Sequence, residues 1–286
     1  MKSLARWAMS RRLYAFIAVA GTLMVPLLFW IGGALSALII MRQGVKDGGR
    51  VVLWASLPAI AWSAIGDSTA LITVIGASLI AVVLRNYQRL DWALLLATGL
   101  GVMLFALLPL LYGDVLTAVI SEIEGQIMTA LTEQPDMAAT VQPMVAPVVS
   151  GGLAALHVII CILCLFLGRY WQSELYNPKG FGREFNQLRL PLAYSLPATG
   201  LVVFAGALQP SMVGVSVVAT VPLFFAGLAV FHGVVSKTRT SSNWLAVLYV
   251  AVLVFEPYMY TLLIFVALLD SLTDIRARLK DTAEDE

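Results

Sequence analysis

The chain has 286 residues, of which 60% are hydrophobic and only 12% charged, with a mean hydropathy of +0.88. Soluble domains carry about half apolar and a quarter charged residues, so these proportions exclude an ordinary water-soluble globule and point to lipid as the solvent. The net charge of +1 gives no global attraction to nucleic acid, and the two cysteines, Cys161 and Cys164, sit within one apolar run and imply no disulfide framework.

Lys2, Arg6, Arg11 and Arg12 precede an apolar run over 13–41. The apolar core of a cleavable signal is roughly 7 to 15 residues, so this run is expected to stay as a membrane element. Further apolar runs cover 51–65, 69–84, 91–112, 143–168, 191–208, 212–235 and 243–269. A helix rises 1.5 Å per residue through a hydrocarbon core of about 30 Å, so about 20 residues make one crossing. The first and last runs overshoot that length, and each holds a proline near its middle, Pro26 and Pro257. Proline removes a helix donor and clashes one turn back, so a break is expected at both; the alternative is one long tilted span.

Charge arbitrates between the two. Cytoplasmic loops of membrane proteins collect Lys and Arg. With a cytoplasmic N-terminus and both long runs folded back, all 18 Lys and Arg fall on the cytoplasmic side. The external segments then hold Asp67, Asp114, Glu122, Glu124, Glu133 and Asp136 without a cation. A single crossing by the first run would place Arg42, Lys46 and Arg50 outside and destroy this partition. The prediction is an all-α polytopic protein of about eight to ten transmembrane or half-membrane helices. Both termini are expected to be cytoplasmic, in a bacterial inner membrane.

Residues 1–286 are expected to form one integral membrane domain. Within it lie an N-terminal helix group over 13–112, an external segment over 113–142, a second helix group over 143–270 and a cytoplasmic tail over 271–286 that ends in the acidic "DTAEDE". In the external segment Leu116, Val119, Ile120, Ile123, Ile127 and Leu131 recur at three- and four-residue spacing. That pattern predicts an amphipathic helix, which rests on the outer surface, extends the preceding span or caps a cavity.

Residue chemistry narrows the function less. His157 and His232 lie in separate runs without a carboxylate cluster, so no metal site is expected, and packed, hydrogen-bonded histidines are the simpler reading. "CILC" at 161–164 lies among Ile, Leu and Phe, where small buried thiols are expected rather than a redox pair. No nucleotide-binding loop or nucleophile motif is present, so neither an enzyme nor a cofactor is expected. Glu256 stands out, because a carboxylate in mid-run is costly in lipid and ordinarily meets a partner or a polar cavity. It precedes Pro257, with Tyr258 and Tyr260 following; a wet position at the outer interface is the alternative. Asp67 in "SAIGDSTA" is either a turn or cap residue or part of an outer site. Asp270, Asp274 and Arg278 stand at i, i+4 and i+8, which predicts an ion-pair stripe at the exit of the last helix.

The segment "WQSELYNPKGFGREFNQLRLP" at 171–191 gathers cations, an Asn-Pro turn and aromatics. Trp171, Tyr176, Lys179, Arg183 and Arg189 are its candidates for contact with lipid headgroups or docking of a cytoplasmic protein.

Three passages carry a resemblance: "MRQGVKDGGRVVLWA" at 41–55, "RYWQSELYNPKGFGREFNQLRLP" at 169–191 and "ALLDSLTDIRARL" at 267–279. They resemble the YybS-like membrane proteins, a family catalogued as a domain of unknown function, and the second passage is most similar to proteobacterial members. The N-terminal part distantly resembles the S-components of energy-coupling-factor vitamin transporters. That resemblance implies a small-molecule binding or transport component with an outward-facing cavity. The residues of this chain themselves nominate Glu256, Tyr258, Tyr260, Asp67 and His157 for such a site, and the six external carboxylates favour a neutral or cationic ligand. The alternative is a scaffold or assembly factor that docks a cytoplasmic partner through 171–190.

Overall fold

Proline decides the first reversal. In the computed structural model, which describes residues 2–238, 240–256 and 258–279, a short helix α1 (Lys2–Ala8) leads into α2 (Arg12–Met24). The helix stops at Val25, which is extended, before a single 3-10 turn over Pro26–Leu28. Pro26 has no N–H to bond the preceding turn, so α2 cannot run through it. α3 (Phe29–Ala55) then returns beside α2: Gly32 lies against Leu23, and Arg12 pairs with Asp47 at 3.2 Å. The 13–41 run is a folded-back pair.

α3 bends in turn at Gly44, whose φ of 81° is a conformation that side-chain-bearing residues avoid. Gly48 comes to lie against Ile39, although in a straight helix that separation spans about 13 Å of axis. The chain climbs again through α4 (Leu57–Ala64), where the Trp62 indole N–H donates to Leu23 O at 3.2 Å, level with the first turn. α5 (Thr69–Tyr87) descends to the starting end, where Arg85 donates to Met41 O.

α6 (Leu90–Ala130) and α7 (Pro135–Tyr176) have 41 and 42 residues. Each is about 60 Å long, twice the hydrocarbon thickness, so the far part of this antiparallel hairpin extends beyond any bilayer that holds the rest. Of the readings left open for the 113–142 segment, the extension of the preceding span is the one that forms. That segment is the end of α6, the turn and the start of α7. No breaker interrupts α6 after Pro109, and in its outer part Leu116 is buried and Ile120, Ile123 and Ile127 half-buried.

After α7 come a short α8 (Gly180–Asn186), then α9 (Leu192–Leu208) and α10 (Pro210–Lys237). α11 (Asn243–Val254) and α12 (Tyr258–Thr273) form the second folded-back pair. α11 starts just past the end of α10, and α12 finishes there too, since Lys237 Nζ donates to Arg276 O at 3.1 Å. The turn includes Phe255 and Glu256; Pro257 itself and the acidic tail from 280 lie outside the described residues. α13 (Ile275–Arg278) closes the described chain.

Five stretches have the length and hydropathy of a membrane span: 26–55, bent at Gly44, with α5, α6, α7 and α10; shorter apolar helices complete an all-α bundle. α7 is its spine, packed against α3, α5, α6 and α10. Helix association in lipid depends on close backbone approach at small residues. A Cβ on Gly151 would stand 2.5 Å from Gly214 Cα, across the α7–α10 crossing. One on Gly227 would collide with the Leu263 carbonyl of α12.

Cations and helix ends converge at one pole. Lys2 pairs with Glu174, Arg42 stacks over the Tyr176 ring at 4.1 Å, and Arg169 pairs with Glu184. Asp270, 1% exposed, meets Arg276 at 2.7 Å, and Arg276 also donates to Asn186 O and Leu188 O. The expected i, i+4, i+8 stripe is not formed, because α12 ends at Thr273 and Asp274 turns left-handed with φ 50°. Asp274 pairs instead with Arg189 at 2.7 Å, and Arg278 donates to Thr273 O.

Two stability outcomes follow from these contacts. Gly227→Ala is expected to cost about 1–3 kcal/mol by overpacking, while Gly152→Ala, with open space around its Cβ, is neutral or slightly stabilising. Asp270→Asn strands a buried guanidinium and is expected to cost roughly 3–5 kcal/mol, against less than about 1 for Asp274→Asn in its half-exposed pair. Thermal unfolding in a mild detergent reads both contrasts.

Candidate functional site

The residues that the sequence nominated for an outer site are not gathered in one place. Asp67 is exposed in the α4–α5 turn, where its Oδ1 accepts the Thr69 N–H at 3.0 Å, a capping role. Glu256 and Tyr258 are exposed at the α11–α12 tip, and Tyr258 is 78% accessible. α11 has 12 residues, so this tip stands about 18 Å above the basic pole. That height is well short of the full thickness of a hydrocarbon core of about 30 Å. Tyr260 turns inward: its hydroxyl is 2.8 Å from Thr220 Oγ1, and its ring stacks on Phe224. Tyr194 continues this polar seam, donating to Ala219 O at 2.7 Å and lying 3.2 Å from Thr98 Oγ1. The seam joins α6, α9, α10 and α12, and it is interhelical hydrogen bonding of the kind that holds membrane bundles together.

The 171–191 segment is folded onto the bundle. Trp171 is 1% exposed inside α7, so it has no surface to offer lipid or a partner. Phe181 and Phe185 pack on Phe166, with ring centroids 5.5 and 5.4 Å away, and Phe166 meets Phe225 of α10. Arg189 has its guanidinium taken up by Asp270 O, Ser271 O and Asp274, which makes it a clasp between the α8–α9 connection and α12. Tyr176, Lys179 and Arg183 remain on the outside.

A polar cleft of about 560 Å³ opens beside this segment, between the α5–α6 turn and residues 184–192. Its charged groups are matched: Arg89 bonds Asp91 at 2.6 Å, Glu184 takes Arg169, and Arg189 takes Asp274. The hydrogen bond to Asp91 raises the Arg89 pKa. The cleft holds no surplus charge for an ionic ligand. Among the described residues, no group of three His, Cys, Asp or Glu could hold a metal ion.

A different site lies among the spans. An apolar crevice of about 190 Å³ separates α5 from α6, with α7 as its floor. α7 comes close there because α5 and α6 present glycines: a Cβ on Gly76 would stand 2.6 Å from Cys161 Sγ, and one on Gly101 would collide with Val158. The rim is open on the outside of the bundle, where Ile75 is 50% and Met103 55% exposed. His157 is the one lining residue whose side chain carries nitrogen or oxygen. It is 4% exposed, and its Nδ1 is 2.9 Å from Leu153 O. Its Nε2 is buried without a partner. Half of the expected packed, hydrogen-bonded histidine is present. The other histidine is satisfied, with His232 Nε2 2.8 Å from the Tyr249 hydroxyl. Cys161 and Cys164 are buried free thiols.

The crevice itself was invisible in sequence, since Ile75, Leu79 and Met103 read as ordinary lipid-facing residues. The usable signals were Gly76, Gly101 and His157, which come together only when three helices pack.

No family model, curated protein or solved structure matches this chain, so the YybS-like resemblance rests on the three passages that carry it.

Proposed function

We propose that the protein is a small-molecule binding or transport component of a bacterial cytoplasmic membrane, and that the α5–α6–α7 crevice is its binding site. The observation that carries this reading is a recess in the wall of the bundle, apolar on all sides but one and open at Ile75 and Met103 to whatever surrounds the spans. Apolar recesses with one polar group are the usual form of small-molecule sites. A ligand would enter sideways from the bilayer. The outward cavity implied by the S-component resemblance is thereby exchanged for a lateral one, and a neutral ligand is favoured over a cation because no carboxylate lines the recess.

Orientation follows from charge. The basic pole, with Lys2, Arg42, Arg85, Arg169 and Arg189, belongs in the cytoplasm by the positive-inside rule, and the acidic tip of the α6–α7 hairpin belongs outside. A scaffold role has one observation in its favour: Arg42 over Tyr176 joins the 41–50 turn to the 171–191 segment, leaving Lys179 and Arg183 on one ordered surface.

Two measurements test these assignments. In a Cys161→Ala/Cys164→Ala background, a membrane-impermeant maleimide applied to intact cells should label Glu133→Cys and leave Lys179→Cys unlabelled; the opposite pattern inverts the topology. Native mass spectrometry of the protein released from nanodiscs should show a neutral apolar adduct that Met103→Trp, which plugs the mouth, removes. An adduct retained in Met103→Trp places the ligand elsewhere.

A further inference from the structure

The crevice floor holds a group that the bundle leaves unsatisfied, and its chemistry selects a ligand class. A carbonyl oxygen only accepts, so the contact between His157 Nδ1 and Leu153 O places a proton on Nδ1. In the neutral ring, Nε2 is then the bare acceptor. Apart from His157, the recess is lined by aliphatic side chains, glycines, Met103 and Cys161. None of these is a strong donor, and hydrocarbon supplies no water to stand in.

We propose that the crevice binds a neutral, lipid-soluble alcohol or phenol, whose single O–H donates to His157 Nε2 while its hydrocarbon lies along Leu79, Met103 and Leu107 toward the bilayer. This rests on the crevice being the binding site and goes further by naming the recognised group. An ether, ester or ketone brings only acceptors and leaves Nε2 unmatched. A carboxylate or phosphate brings a charge that nothing in the lining neutralises. A hydroxyl supplies the missing donor and removes the unsatisfied atom, which gives a site with an otherwise featureless wall its specificity.

Photolabelling in nanodiscs tests the assignment with two probes of equal length: dodecanol carrying a diazirine on its chain, and undecyl methyl ether carrying the same diazirine. Label is quantified on α5 and α6 peptides of wild type, His157→Phe, His157→Gln and Met103→Trp. The alcohol is expected to label wild type about tenfold more than the ether does, the size of one good hydrogen bond. His157→Phe keeps a flat ring and removes the acceptor, so it should bring the alcohol down to the ether's level. His157→Gln restores an acceptor and should recover part of the difference. Met103→Trp should abolish labelling by both probes. Equal labelling of wild type by the two probes, with loss of both in Met103→Trp, overturns the hydroxyl assignment and leaves the crevice standing. Labelling that Met103→Trp does not change overturns the crevice as well. If His157→Phe does not fold, the alcohol-to-ether ratio on wild type decides alone.

Discussion

A charged side chain cannot rest in hydrocarbon at tolerable cost, and the layout of this protein follows from that constraint. Its cations occur in clusters along the chain, and the clusters are brought together at one pole of the bundle. The first two clusters are separated by an apolar run too long for one crossing and too short for two full ones. The helix pair α2–α3 resolves this with an incomplete excursion, turned by Pro26 and brought back until Arg12 meets Asp47. The pair α11–α12 repeats the solution at the other end of the chain, and Arg276, buried against Asp270, ties it to the α8–α9 connection.

At the basic pole the pairing is dense enough to make the 171–191 segment part of the fold. Arg169, Arg189 and Arg276 each reach a carboxylate, and the latter two also reach backbone carbonyls, so this end of the bundle is held by directional contacts. Within the membrane the forces differ. There α7 is drawn against α5, α6 and α10 wherever glycine lets backbone approach. Close approach of three helices at their axes leaves a gap at their outer edges, and the crevice over His157 is that gap. Its position is thus a by-product of how the spine packs, while its one polar group is a choice of residue that packing does not require.

The histidine repays comparison with the bundle's other buried polar side chains. Tyr194, Tyr260 and Thr220 find partners across helices, and Ser195 meets Ser271 at 2.9 Å, whereas Thr73 Oγ1 and Ser78 Oγ, like His157 Nε2, are buried without one. His157 bonds only its own helix, and it is the residue that lies beneath an opening. Polar groups in lipid are retained where they glue helices or meet a ligand, and this ring joins no second helix.

The sequence by itself determined the class of protein, the breaks in both long apolar runs and the segregation of charge. These depend on local quantities: hydropathy over a window, the missing proline N–H, and the cost of a cation in lipid. For Asp67 it offered a turn or cap role as one of two readings. The tertiary structure alone decided that the external segment is the far end of a hairpin, that Trp171 and Arg189 are taken up by packing and clasping, and that Asp270 pairs with Arg276 instead of a neighbour one turn away. It also decided that His157, and not Glu256, lies in a recess. Each of those outcomes depends on which helix faces which. In an apolar sequence nearly every face is equally greasy, so periodicity carries little record of partners until glycines and buried charges select them in space.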